Sequence, residues 1–155
     1  MTWRVWAPAV LGSLLLASSA PRAQSAAADK LASAKAVECA FSVYATVVWK
    51  SGSADATLKP SKLSFGFDSI NTDEGTARVV GKFGPSDIIV RFSSGVLHFI
   101  QSFREGPLYA TTIFPMEMPG GRLQAVHTRH ENTLIALPGF TSKPEQYYGD
   151  CGIVP

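Results

Sequence analysis

The amino-acid sequence predicts an all-β protein, a single-domain antiparallel up-and-down meander that forms a small β-barrel, with an open β-sandwich as the alternative. Apolar and polar residues alternate with a period of two, which is the pattern of half-buried strands. Gly, Pro and Asp residues interrupt this pattern about every 8–12 residues, a spacing typical of antiparallel all-β domains. About 130 residues remain after a predicted export signal, which suits one domain with one hydrophobic core. We prefer the barrel because closure removes sheet edges that invite aggregation.

The clearest predicted strand is Lys62–Asp68, in which Leu63, Phe65 and Phe67 share one face. A first strand is predicted at Cys39–Lys50, which is rich in β-branched and aromatic residues. Short breaks that contain Gly, Pro or Asp separate the strands, so neighbours are expected to be antiparallel. The further predicted strands are Thr76–Phe83, Asp87–Phe92, Val96–Phe103, Pro107–Phe114 and Arg122–His130.

The N-terminal region is predicted to be an export signal over residues 1–23, cleaved somewhere between residues 20 and 28. Arg4 supplies a positive charge, Val5–Pro21 carries no charge, and small residues follow the apolar segment. The uncharged stretch is barely long enough to cross a bilayer, so a membrane anchor is the less favoured alternative. We therefore expect a secreted or periplasmic protein without a membrane span after removal of the signal.

Residues 24–38 are predicted to be a leader or a short N-terminal helix, and residues 39–155 are predicted to form the β-barrel domain. The helical alternative depends on Ala26–Val37, which is rich in alanine and contains Asp29 as a candidate N-cap.

The charge balance argues against a nucleic-acid partner. The whole chain has 14 Lys and Arg residues and 12 Asp and Glu residues. Arg4 and Arg22 lie in the predicted signal, so 12 basic and 12 acidic residues remain, a formal charge of zero. A neutral surface provides no footprint for a phosphate backbone.

The two cysteines, Cys39 and Cys151, are predicted to form a disulfide bond. A disulfide is the default interpretation of a cysteine pair in an exported protein. There is no CxxC motif to indicate a redox pair, and no His or Cys lies near either residue in sequence to indicate a metal site.

No motif for a cofactor or for catalysis is recognised, so we expect no cofactor and regard an enzyme as the less favoured class. Gly75–Phe83, "GTARVVGKF", resembles a phosphate-binding loop. Its spacing is wrong by one residue, and its amides would be committed to a predicted strand. The sequence contains no nucleophile elbow, zinc-protease motif, EF-hand or dinucleotide-binding fingerprint.

The main candidate site is the stretch "AVHTRHENTL", Ala125–Leu134. His127 and His130 point to opposite faces of a strand, so we do not expect them to bind one metal ion. If the preceding apolar residues point inward, His127 and Arg129 follow them into the interior. A buried Arg129 needs a partner, either one of the protein's own carboxylates or an anionic group of a ligand. The remaining alternative is that this face is a solvated rim.

Tyr147 and Tyr148 lie close to Cys151 in the stretch "PEQYYGDCG", Pro144–Gly152. The structural interpretation is a strap, in which aromatic packing and the disulfide hold the C-terminal tail over the barrel. The functional alternative is that one tyrosine hydroxyl lines a ligand-binding mouth or a partner surface. Both tyrosines are therefore ligand-binding candidates, together with His127 and Arg129.

The combination of "TTIF" (Thr111–Phe114), "AVHTRH" (Ala125–His130) and "QYYGDC" (Gln146–Cys151) resembles the ending of a group of functionally uncharacterised small exported bacterial proteins. The resemblance covers about the last third of the chain. It implies a signal peptide, a compact β domain and an envelope or secreted location, and it implies no activity.

These observations predict non-catalytic binding of a small, partly apolar or anionic molecule in the barrel mouth, since small barrels can hold one ligand. The alternative is a protein-binding module, such as an inhibitor of a secreted enzyme. Its contacts would come from the loop Phe114–Gly121, which contains Met116 and Met118. A hydrolase or isomerase built on His127 is the third hypothesis.

Overall fold

The computed structural model describes residues 20–82, 84–104, 106–131 and 143–155, and for residues 20–23 it describes the backbone alone. Residues 1–19 of the predicted export signal therefore lie outside the described residues. Among the helices of the described part, none is long and apolar enough to cross a membrane.

In the described part of the chain, eight antiparallel strands form one sheet that closes on itself as a barrel. Each strand pairs with the next one in sequence, and β8 pairs with β1 to close the ring. The prediction of an antiparallel all-β meander is confirmed. The strands are β1 (Ala36–Lys50), β2 (Ser53–Asn71), β3 (Thr76–Gly81), β4 (Gly84–Ser93), β5 (Val96–Ser102), β6 (Leu108–Glu117), β7 (Leu123–His130) and β8 (Glu145–Val154).

Strand β2 is much longer than the predicted Lys62–Asp68. It begins at Ser53, because a two-residue turn returns the chain directly from Lys50. Both turn residues, Ser51 and Gly52, have positive φ angles of 49° and 82°, as a tight hairpin turn with the twist of its strands requires. The sequence signal was weak because Pro60 and several small or polar residues interrupt the alternation.

The C-terminal stretch is a full strand of the barrel and not a strap laid over it. Gly149 and Gly152 interrupt its β-propensity, which is why alternation alone did not reveal the strand. Gly149 is needed there, since a Cβ atom at this position would lie 2.0 Å from the carbonyl oxygen of Ala40. The close approach occurs where β1 changes register, between Phe41 and Val43.

One helix, α1 (Ala20–Ser33), packs across one end of the barrel. The helix begins before Ala26, where the predicted helical stretch Ala26–Val37 starts. It ends at Ser33, before that stretch ends, because β1 already starts at Ala36. Its apolar residues Ala27 and Leu31 are fully buried. Ala28 lies against the β4–β5 turn at Gly95, and the Nζ atom of Lys30 is 2.9 Å from Oε1 of Glu117 at the end of β6.

The barrel interior between α1 and the middle of the strands is a packed apolar core. Phe67 and Phe99 stack at its centre, with ring centroids 3.8 Å apart. Other fully buried members come from several strands, as the predicted alternation requires. They are Val37, Phe41, Ile70, Val90, Leu97, Ile113 and Leu123.

The disulfide between Cys39 and Cys151 is present, and its two residues lie directly opposite each other on β1 and β8. The bond spans a sequence separation of 112 residues. It therefore joins the first and last strands of the ring across the pairing that closes the barrel.

Candidate functional site

A cavity of about 580 Å³ opens at the end of the barrel opposite α1. In an up-and-down meander alternate turns share one end, and the β3–β4 turn borders the cavity whereas the β4–β5 turn meets α1. Side chains from β2 to β7 line the cavity. Its apolar lining is largely aromatic and includes Leu63, Phe65, Phe67, Val79, Ile88, Phe99, Phe103 and Tyr109.

One cluster of polar residues in the cavity lies on β6 and β7, and further polar residues border the cavity elsewhere, namely Ser64, Lys82, Ser86 and Gln101. His127 and Arg129 on β7 line it, as does Thr111 on β6. The register places Thr111 opposite His127 and Tyr109 opposite Arg129. The alternation of β7 thus directs His127 and Arg129 inward, as the sequence predicted, whereas His130 is exposed.

Arg129 is partly buried and lies between two tyrosine rings. Its guanidinium carbon is 5.3 Å from the ring centroid of Tyr109 and 5.2 Å from that of Tyr147. Contacts of this kind stabilise a cation over an aromatic face.

The hydrogen bonds of Arg129 leave most of its donor groups unused within the described structure. Its Nε atom donates to Nε2 of His127 at 3.3 Å. Among the described residues, no carboxylate forms an ion pair with Arg129. Glu145 is its direct neighbour on β8, but that carboxylate accepts a hydrogen bond from the Tyr147 hydroxyl. The described chain therefore supplies Arg129 with aromatic and imidazole contacts instead of a counter-charge.

His127 is buried, with 4% of its surface exposed, and its tautomer follows from its partners. An arginine Nε–H can only donate, so Nε2 of His127 must be the acceptor and its proton resides on Nδ1. Nδ1 then donates to Oγ1 of Thr111 at a distance of 2.8 Å. Burial first, and the charge of Arg129 second, lower the pKa of His127 to about 3.

This tautomer makes His127 unsuitable for activating Thr111 as a nucleophile. The imidazole nitrogen next to the hydroxyl carries a proton instead of accepting one, and a pKa of about 3 is far from the value of an efficient general base. The hypothesis of a hydrolase or isomerase built on His127 gains no support from this geometry.

Tyr147 holds Arg129 in place more than it lines the cavity. Its ring stacks on Tyr44 of β1, with centroids 5.2 Å apart, and its other contacts are to His127 and Arg129. Burial, followed by the hydrogen bond to Glu145, raises the pKa of the Tyr147 hydroxyl, which stays protonated.

Tyr148 does not belong to this group of side chains. It points to the outer surface with 42% of its surface exposed, and its hydroxyl donates to Oε1 of Gln146 at 2.7 Å. The structure thus brings together His127, Arg129 and Tyr147, and leaves Tyr148 apart.

The third histidine and the other charged groups do not converge on a metal site. His98 makes a 3.1 Å hydrogen bond with Thr112 on the outer face of β5 and β6. Within the described ranges, no group of three or more His, Cys, Asp or Glu residues is arranged to hold a metal ion.

The loop proposed for a protein-binding module lies at the α1 end of the barrel, away from the cavity. Met116 and Met118 are partly exposed there, at 47% and 37%. Between them, Glu117 is paired with Lys30 of α1.

Sequence reasoning missed Tyr109 and Thr111 as members of the site. Both lie on a predicted strand and on the same face as buried Ile113. Alternation could have placed them inward, but only the β6–β7 register shows that they face Arg129 and His127.

No protein-family model, no curated protein and no solved structure matches this chain. The resemblance of its C-terminal third to small exported bacterial proteins stays a prediction.

Proposed function

We propose that the protein binds a small amphipathic molecule with one anionic group, without catalysis, in the cavity at the open end of its barrel. The observation that carries the proposal is Arg129, a cation directed into an aromatic cavity, for which the described structure provides no carboxylate partner.

The size and lining of the cavity support this class of ligand. Its volume of about 580 Å³ lies in the range typical of small-molecule sites, which is about 300–1,000 Å³. The aromatic walls favour an apolar ligand body, and the cluster of Thr111, His127 and Arg129 on β6 and β7 can receive one polar end. That division matches a molecule with an apolar body and one polar end.

Arg129 is preorganised to bind a carboxylate or a similar anion. The rings of Tyr109 and Tyr147 both contact its guanidinium group, and His127 accepts a hydrogen bond from its Nε atom. No described residue accepts a hydrogen bond from its Nη atoms. These two nitrogens can donate a parallel pair of hydrogen bonds to an anion, and little side-chain entropy remains to be lost.

The proposal includes a secreted or periplasmic location. The Cys39–Cys151 bond supports it, because disulfides form and persist in oxidising compartments.

Calorimetric titration with two probes of equal chain length tests the proposed function. Dodecanoate carries the anionic group, whereas dodecanol has the same apolar chain without the charge. We expect dodecanoate to bind at least ~10-fold more tightly, since a hydrogen-bonded charge contributes about 1.5–3 kcal/mol.

The variant Arg129→Met retains most of the side-chain volume and removes the donors, so it is expected to remove the preference for dodecanoate. Arg78→Met is the matched control, because Arg78 is exposed and forms its ion pair with Asp68 outside the cavity. Equal affinities of the wild-type protein for the two probes, or a preference that survives Arg129→Met, would contradict the proposal.

A further inference from the structure

The β1–β2 hairpin extends past the rest of the barrel at the same end as the cavity mouth. β1 pairs with β8 only up to Thr46, and β2 pairs with β3 only from Gly66 onward. Between these limits, the two strands pair with each other through Lys50 and Ser53 at the turn, and with no other strand of the described residues. We name residues 43–60 the ribbon; its first four residues still pair with β8.

One face of the ribbon consists entirely of apolar residues. After the register shift at Phe41/Val43, Tyr44 and Thr46 point inward, so the residues between and beyond them point outward. The register places each outward residue of β1 opposite an apolar residue of β2. The four pairs are Val43 with Pro60, Ala45 with Leu58, Val47 with Ala56, and Trp49 with Ala54.

This face is open to solvent. Trp49 is 77% exposed and Leu58 is 70% exposed, the two highest values among the large apolar side chains described. Val47 is 37% exposed. A contiguous exposed apolar face of this kind is typical of a surface that binds a membrane or another molecule.

The charges around the ribbon indicate what covers it. Residues 43–62 contain Lys50, Lys59 and Lys62 and one acidic residue, Asp55, a formal charge of +2, whereas residues 24–155 together sum to zero. Exposed Lys82 on the β3–β4 turn adds a further cation at this end of the barrel. Lys50 and Lys59 belong to the other face of the ribbon, where they lie opposite Ser53 and Tyr44, and Lys50 pairs with Asp55. Exposed Lys62 lies two residues beyond Pro60. The apolar face itself is uncharged and has a tryptophan close to its tip.

We propose that the apolar face of the ribbon docks on an anionic lipid surface. Tryptophan is favoured at the membrane–water interface, where its ring is apolar and its N–H remains hydrated. Lysines next to an anionic leaflet are attracted to its negative surface potential. The ribbon lies flat with Trp49, Leu58 and Val47 in the headgroup region, and the net positive charge at this end of the barrel, to which Lys62 and Lys82 contribute, is attracted to the anionic surface. This inference stands apart from the proposed ligand, since it does not depend on His127, Arg129 or Tyr109; Lys82, which also borders the cavity, contributes only its charge.

Sedimentation with vesicles tests the docking surface in the full-length protein. The two vesicle types are phosphatidylcholine alone and phosphatidylcholine mixed with phosphatidylglycerol. We expect partitioning onto the anionic vesicles to exceed that onto the neutral ones, and to fall with added salt. The double variant Trp49→Ser/Leu58→Ser should lower the partition coefficient at least ~10-fold, because both large apolar contacts are lost.

A second double variant, Lys59→Glu/Lys62→Glu, is expected to lower binding to anionic vesicles by about 10-fold or more and to leave binding to neutral vesicles unchanged. Ile89→Ser is the matched control, since Ile89 is 47% exposed on β4, outside the ribbon. Unchanged circular dichroism spectra check that each variant is folded.

Equal vesicle binding by the wild-type protein and Trp49→Ser/Leu58→Ser would overturn the proposal, and would assign any binding to a part of the chain outside the ribbon. Light scattering tests a different occupant of the ribbon, a second copy of the chain. If the wild-type protein is a dimer, and this variant is a monomer with unchanged vesicle binding, the ribbon is a dimer interface. A wild-type protein that binds neither vesicle type would likewise reject the lipid surface.

Discussion

Replacement of Arg129 by methionine separates a ligand-binding arginine from a structural one through the free energy of unfolding alone. In the structure, Arg129 makes two contacts with tyrosine rings and one hydrogen bond to His127. Each ring contact contributes about 0.5–1 kcal/mol at a partly exposed site, and the hydrogen bond contributes about 1 kcal/mol. Methionine recovers part of this by packing between the same rings, and it removes a partly buried cation. We therefore expect a net loss of at most about 2 kcal/mol.

A structural ion pair would give a different result. If Arg129 neutralised a buried carboxylate, its removal would leave that charge unpaired, at a cost of about 3–5 kcal/mol. On a solvated rim, the same change would cost less than about 0.5 kcal/mol.

Urea unfolding curves of the ligand-free wild-type and variant proteins provide the measurement. His130→Ala is the control, because His130 is exposed at the end of the same strand and should change stability by less than about 0.5 kcal/mol. A loss above about 3 kcal/mol for Arg129→Met would show that the arginine has a charged partner in the fold, and would remove the main support for an anionic ligand.

The orientation of side chains along each strand was predictable from the sequence, because the two-residue period is a property of the extended backbone. Leu63, Phe65 and Phe67 line the cavity, as their alternation required. His127 and Arg129 were likewise assigned inward from the apolar residues that precede them. These predictions required only that the segment is a strand and that one of its two faces is known to be buried.

The partners of these residues were not predictable, since they depend on the register between strands. Tyr109 and Thr111 face Arg129 and His127 only through the β6–β7 register, which shifts between Ile113 and Glu117. Glu145 lies directly opposite Arg129 on β8, and the sequence would suggest an ion pair between them. In the structure the Tyr147 hydroxyl donates to that carboxylate, and no ion pair between Arg129 and Glu145 is formed, an outcome that depends on the three-dimensional arrangement.

The β1–β2 ribbon was missed for a different reason. Its outward residues include three alanines and Pro60, which carry little of the hydrophobic signal by which strands are recognised. Once β1 and β2 are paired residue by residue, the same small residues form one uninterrupted apolar face with Trp49 and Leu58.

Two further predictions concern stability. Gly149→Ala should cost about 3 kcal/mol or more in urea unfolding, because the new Cβ would lie 2.0 Å from the Ala40 carbonyl oxygen and both atoms belong to paired backbones. Gly81→Ala is its control, since a Cβ there meets no atom nearer than 3.8 Å; similar losses in the two variants would contradict the close approach of β1 and β8. The second prediction concerns pH and His127, whose pKa is lowered from 6.5 to about 3 in the folded protein. The unfolded chain therefore takes up a proton near pH 6.5 that the folded protein binds only near pH 3, so stability that is fully present above pH 6.5 is lost progressively as the pH falls toward 3. The loss from this residue is on the order of 3–5 kcal/mol, because each unit of pKa difference corresponds to about 1.4 kcal/mol. Carboxylates also make the stability depend on pH, and they do so equally in the wild-type protein and in His127→Gln, so the comparison cancels their contribution. The glutamine amide can accept a hydrogen bond from Arg129 and donate one to Thr111, but it does not titrate. Unfolding free energies measured between about pH 7 and pH 4 should fall more steeply for the wild-type protein than for His127→Gln. Parallel pH profiles would show that the buried imidazole is not held neutral by the fold.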